Sequence, residues 1–155
     1  MPHAVVKWVQ NKTFIGTDSS KHSIVLSTQD ADNAVGMRPS ELLLISLAGC
    51  TAVDVIEILA KKRTPVEALE IHISGEQDRT PPWTYRQIHV DYRLRGVGLT
   101  RRSVEQAIRL SDEKYCSVSA TVRGTTEITY EFHIEGDSQE EPAPQRANPQ
   151  KEIIS

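Results

Sequence analysis

One stretch dominates what this chain can fold into. Across residues 42–60 nearly every side chain is apolar or small, and Asp54 and Glu57 carry the only formal charges. A bilayer span needs about 20 such residues, and a carboxylate at its centre costs roughly 2.5–3.5 kcal/mol. Two carboxylates inside the stretch therefore predict a buried helix of a soluble protein, with no membrane as partner. Met37-Arg38-Pro39-Ser40 supplies the start, because proline suits a first helical turn. Thr64-Pro65 supplies the stop, since proline cannot continue the ladder and constrains the residue before it. At 100° per residue Asp54, Glu57 and Lys61 share one narrow face, with Glu57 and Lys61 spaced for an i,i+4 ion pair. The N-terminal half, from Leu43 through Leu47 to Cys50, is apolar all round, which predicts that protein surrounds it.

The flanks read as strands. Residues 4–9, 13–17 and 23–27 form short strand-like runs separated by the polar turns Gln10-Asn11-Lys12 and Asp18-Ser19-Ser20, predicting an antiparallel meander. Beyond the helix, Leu69, Ile71 and Ile73 alternate with polar residues, and so do Ile88, Val90, Tyr92 and Leu94. A loop over 77–84 separates these two strands, and Gly96-Val97-Gly98 breaks the second. A second helix follows, capped by Thr100 or by Ser103 with Gln106 as a capping box. It buries Val104, Ala107, Ile108 and Ser111 and ends near Lys114. A last strand spans 125–134. This order of strands, helix, strands, helix and strand lacks βαβ alternation and predicts an α+β fold with helices against antiparallel sheet.

A chain of 155 residues fits one domain, which at this size buries roughly two thirds of its unfolded surface. The domain is expected over 1–135. The remainder, 136–155, has no apolar periodicity and reads as a disordered tail. The net charge of −3 is small and unclustered, which gives no basic footprint for nucleic acid. Lys61-Lys62-Arg63 sits where a helix ends, and the helix dipole accounts for it. The N-terminus lacks an apolar h-region and a small-residue cleavage site, so a cytoplasmic location is expected.

In that reducing compartment two cysteines are informative, because a structural disulfide is disfavoured and a transient catalytic one is the main exception. Cys50 lies mid-helix after Gly49. A glycine there costs roughly 1 kcal/mol relative to alanine, a cost offset by close packing or by room for a ligand. Cys116 follows Tyr115 at the end of the second helix, and a two-helix core can bring such a position against a helix-borne thiol. The negative end of a helix dipole opposes thiolate formation at Cys116. Cys50 gains nothing from a helix terminus, so its activation requires a nearby cation.

Other chemistry is thinly represented. His72, His89 and His133 lie on polar strand faces without HxH or HxxxH spacing, so they read as solvated histidines and no metal is expected. Gly96-Val97-Gly98 lacks the third glycine of a dinucleotide loop, and no cofactor is expected. Ser46, Thr51, Ser117 and Ser119 show no His/Asp partner and read as capping or small packing residues.

Pro39-Ser40-Glu41-Leu42-Leu43-Leu44, Leu47-Ala48-Gly49-Cys50-Thr51-Ala52 and Glu113-Lys114-Tyr115-Cys116-Ser117-Val118-Ser119 resemble the two cysteine motifs of the OsmC/Ohr family of thiol-dependent hydroperoxide reductases. The resemblance is to its OsmC-like subgroup and runs from Ala4 to about Glu135. It implies an intertwined homodimer whose sheets wrap around two core helices, with thiol sites at the subunit interface. It also implies that Cys50 is the peroxidatic thiolate and Cys116 the resolving thiol, acting on an organic hydroperoxide with a dithiol reductant. The family's peroxidases use an arginine and a glutamate beside the reactive thiol. Residues 23–29 contain no arginine, which leaves Arg38 as the nearest candidate. Ser40 stands where the carboxylate is most often found, and Glu41 follows one residue later, about 180° from Cys50 on an ideal helix. The alternative function on the same fold is binding of a small apolar ligand, or redox sensing by the two thiols.

Overall fold

The computed structural model describes residues 1–136, which fall into two units, Met1–Leu43 and the residues from Leu44 onward. Beyond Gly136, the tail expected over 136–155 lies outside the described residues.

The first unit is the expected meander. Strands β1 (Ala4–Gln10), β2 (Thr13–Asp18) and β3 (Ser23–Ser27) pair antiparallel in the order β1-β2-β3. The polar turns act through specific bonds. Asn11 takes a left-handed φ of 47° between β1 and β2, a conformation asparagine tolerates well. At the second turn the Asp18 carboxylate accepts from the backbone N–H groups of Ser20 (3.0 Å) and His22 (2.9 Å), an Asx-type closure. The following loop is held by Asp30, which accepts from Thr28 Oγ1 at 2.7 Å, from Asn33 Nδ2 and from Lys12 Nζ at 3.2 Å. Thr28, then Asn33 and Lys12, draw the Asp30 carboxyl down to about 2. Gly36 presses against β3, where a Cβ would stand 2.6 Å from the Val25 carbonyl oxygen. That close approach lets Met37 bridge Leu26 and deliver the chain to the helix.

Helix α1 (Pro39–Lys61) starts at the predicted proline and ends just before the predicted Thr64-Pro65 stop. It is long and apolar enough to cross a membrane by length and composition alone. In the second unit it buries one stripe at i,i+4 spacing: Leu47, Thr51, Val55 and Leu59. The expectation that protein surrounds its first half is not met within this chain, because Ile45, Ser46 and Gly49 are exposed, and Val53 and Ile56 of the second half are exposed too. A single protein layer covers one side of a helix and leaves the other side open.

The second unit carries strands β4 (Ala68–Gln77), β5 (Tyr85–Arg95) and β6 (Glu127–Ile134) in the order β4-β5-β6. β4 and β5 are antiparallel, as expected, but β6 runs parallel to β5. The cause is the connection. Helix α2 (Arg101–Leu110), a π-helical turn (Ser111–Tyr115) and helix α3 (Ser117–Val122) lie between the two strands. A crossover of that length returns the chain to the end where β5 began, whereas a tight hairpin would force antiparallel pairing. The sheets are therefore antiparallel-rich but not wholly antiparallel. Thr100 is the N-cap of α2: its side chain accepts from Ser103 N at 3.1 Å, and Ser103 Oγ accepts from Thr100 N at 3.1 Å. Ser103 thus occupies the third helical position of the capping box and is not the cap. Ile88, Val90, Tyr92 and Leu94 of β5, Val104, Ala107 and Ile108 of α2, and Phe132 of β6 make up much of the core.

Candidate functional site

The two thiols meet within the second unit. Cys50 comes from α1 and is half-buried, while Cys116 is 2% exposed, and both are free. The Cys50 thiol is close enough to act on Cys116 both as a hydrogen-bond partner and through charge. Burial first, and then this neighbour, push the Cys116 thiol up to about 12. At neutral pH Cys116 therefore keeps its proton and faces the Cys50 sulfur as a neutral S–H.

The segment carrying Cys116 has a definite local cause. After α2 the ladder widens by one residue, so that Cys116 N–H donates to the Ser111 carbonyl at 2.8 Å, five residues back. The chain then becomes extended at Cys116 (φ −72°, ψ 104°) and re-enters a helix at once. Cys116 is the N-cap of α3, and its Sγ accepts from Ser119 N at 3.3 Å. The sequence expectation placed Cys116 at the negative end of a helix dipole. It stands instead at a junction, with the end of one helical segment behind it and the start of another ahead. The N–H groups of Ser119 and Val118 favour the thiolate, but burial outweighs them.

A polar frame holds this junction. Ser119 Oγ donates to Asp112 Oδ1 at 2.5 Å, and Arg123 Nη2 reaches the Asp112 carbonyl at 2.6 Å and Ser119 Oγ at 3.0 Å. Arg123 also pairs with the Asp112 carboxylate at 2.5 Å, both side chains being about three-quarters buried. On the α1 side, Ser111 Oγ donates to Asp54 Oδ2 at 2.8 Å, tying the π-turn to the cysteine-bearing helix. Tyr92, fully buried on β5, shares a hydrogen bond with Thr51, and burial raises its hydroxyl pKa. Sequence reasoning missed Asp112, Arg123 and Tyr92 as parts of this site and read Ser119 as a packing residue. The signal for Ser119 was its place three residues after Cys116, the third position of a helix capped by that cysteine.

Arg38 and Glu41 meet each other. Arg38 Nη1 donates to Glu41 Oε1 at 3.4 Å, both side chains are about half exposed, and both belong to the first unit. Of the three histidines on β4, β5 and β6, His72 bonds Glu70, His89 bonds Thr129 (2.9 Å) and Glu131 (3.2 Å), and His133 Nε2 lies 3.5 Å from Asp91 Oδ1.

An antiparallel-rich α+β fold in which a long helix presents one cysteine to a second at a helix junction defines a class of dithiol proteins. Residues 30–131 match the family described as OsmC-like protein, and the chain belongs to that family. Protein YhfA of Escherichia coli K12 is 34% identical over 131 residues, which make up 84% of this chain and 96% of that protein. Among solved structures, a hypothetical protein from Aquifex aeolicus VF5 superposes with a TM-score of 0.78 at 31% identity, covering 87% of this chain and 96% of that one. The organic hydroperoxide resistance protein OhrB of Bacillus subtilis shares the fold at a TM-score of 0.58 and 17% identity, over 84% of this chain and 98% of its own.

Proposed function

We propose that the protein is a thiol-dependent reductase of organic hydroperoxides. The reading rests on one observation: a half-buried thiol, Cys50, set against a fully buried and protonated thiol, Cys116. Membership of the OsmC/Ohr family, which suggests a role connected with peroxides or stress, points the same way. In the proposed cycle the Cys50 thiolate attacks a peroxide oxygen and the O–O bond breaks. The alcohol leaves with a proton, and Cys50 becomes a sulfenic acid. The Cys116 sulfur then attacks the oxidised sulfur, its proton departs with the hydroxyl as water, and a disulfide forms. A dithiol reductant restores both thiols by exchange and is itself oxidised. Arg38 and Glu41 are the proposed assisting cation and carboxylate. A second copy of the chain is the proposed cover for the exposed Ile45, Val53 and Ile56 of α1, giving a homodimer in a reducing, cytoplasmic setting.

The test is direct. Reduced protein is mixed with cumene hydroperoxide, and thiol loss and turnover with a dithiol reductant are followed. Cys50→Ser abolishes both, while Cys116→Ser permits one oxidation and traps sulfenic acid at Cys50. Absence of fast Cys50 oxidation would sink the reading. A second reading, redox sensing or binding of a small apolar ligand on the same fold, is favoured by the engagement of Arg38 with Glu41. Stoichiometric oxidation without turnover would select the sensing form of it.

A further inference from the structure

The face of β4-β5-β6 opposite the apolar core carries a second cluster, built from residues the thiol chemistry does not use. Asp91 sits at the middle of the central strand, with His72 beside it on β4 and Glu131 beside it on β6, while His133 pairs with Arg93. Asp91 is 8% exposed. Its Oδ2 accepts from Arg93 Nε at 3.0 Å, but its Oδ1 is buried and has no hydrogen-bond partner among the described residues. His133 Nε2 faces it at 3.5 Å, beyond the length of a good hydrogen bond, and a carboxylate oxygen buried with so weak a contact is costly. Within 4.8 Å of one another lie a ligand atom each from Asp91, Glu131 and His133.

We propose that Asp91, Glu131 and His133 form a binding site for a divalent transition-metal ion, with zinc the fitting occupant. Zinc takes nitrogen and oxygen ligands at 2.0–2.2 Å, which sets a tetrahedral edge of about 3.4 Å between donor atoms. Asp91 Oδ1 and His133 Nε2 already stand 3.5 Å apart. The partly exposed Glu131 carboxylate supplies the other two edges, with an oxygen within 4.8 Å of both atoms. One imidazole with two carboxylates suits zinc and its neighbours better than magnesium, which asks for octahedral oxygen. A supporting shell is in place, because His89 bonds Thr129 through Nδ1 and Glu131 through Nε2, and thus orients a ligand carboxylate. Three protein ligands leave the fourth position open towards solvent, as in labile and catalytic sites. A polar hollow of about 460 Å³ lined by Ser74, Gly75, Glu76, Gln87, His89 and Thr129 shares the His89 side of this face. Arg93 Nε holds Asp91 through Oδ2, which leaves Oδ1 for the ion.

The experiment is zinc titration of the full chain in a Cys50→Ser/Cys116→Ser background, against a metallochromic indicator, so that no thiolate contributes. The expected result is one zinc per chain, with affinity falling by at least about tenfold in His133→Ala and in Glu131→Gln, both surface substitutions. Cobalt substitution should give a d–d spectrum that His133→Ala removes. Unchanged affinity in both variants, or a dissociation constant weaker than about 1 mM in the parent, overturns the site.

Discussion

In the second unit β5 turns Ile88, Val90, Tyr92 and Leu94 into protein at 0–2% exposure, whereas β1 of the first unit leaves Val5, Val6, Trp8 and Val9 at 48–67%. Both strands are rich in β-branched and aromatic residues, so the contrast is not one of composition. It arises because β5 is central in its sheet and has helices packed on one face, while β1 is the edge of a three-stranded meander in which Leu26 is the one buried apolar residue. A small sheet without a second layer cannot dehydrate its own apolar face. The first unit thus carries the apolar residues of a core without closing one of its own.

The largest expected effect tests the closed region. Leu94→Ala should cost about 2–5 kcal/mol in urea denaturation, and Val6→Ala, on an exposed strand, far less at concentrations where the chain is monomeric. Equal costs would break the comparison. Next in size is association. Ile56→Asp should convert a dimer to monomer in sedimentation velocity, while a parent that already sediments as a monomer refutes the proposed homodimer.

The two regions also differ in how pH reaches them. Cys116 in the second unit has its pKa raised from 9.0 to about 12, so the native state holds a proton that the unfolded chain releases earlier. Stability is therefore complete below pH 9.0 and falls as pH rises towards about 12, with buried Tyr92 adding to the loss at the alkaline end. Cys116→Ser should flatten that decline in a thermal-melt series, and an unchanged slope would remove Cys116 as its cause. Asp30 in the first unit works in the opposite sense. Its pKa is lowered from 3.8 to about 2, so its contribution is present above 3.8 and disappears as pH falls through about 2. Asp30→Asn should remove that acid-side dependence, read from amide exchange in the 28–36 loop.

The smallest effect concerns Gly49, where an added Cβ meets nothing within 4 Å inside this chain. If that face were open in solution, Gly49→Ala would stabilise the helix by roughly 0.5–1 kcal/mol. Under the proposed dimer it lowers stability instead, and the sign measured by chemical denaturation decides between the two.

The elements were legible in the sequence because their signals are local. Pro39 and the Thr64-Pro65 pair bound α1, and the alternation of Ile88, Val90, Tyr92 and Leu94 marks the buried face of β5. The cysteine motifs carried the family, and residues 30–131 match it. The parallel sense of β6, by contrast, depends on which end of the sheet the α2–α3 crossover returns to, and alternation along a strand is the same in either direction. The N-cap role of Cys116 depends on a single π-turn that shifts the ladder by one residue. The frame of Asp112, Ser119 and Arg123 exists only once α3 has folded back over that turn. Asp91 lies on β5 and Glu131 and His133 lie on β6, and only the register of β5 with β6 makes them neighbours. What the sequence determined by itself was therefore the strands, the two longer helices and the inward faces of β5 and α2, since burial and capping act over a few residues. Which polar groups meet was decided by strand register and helix packing, which act between residues far apart in the chain.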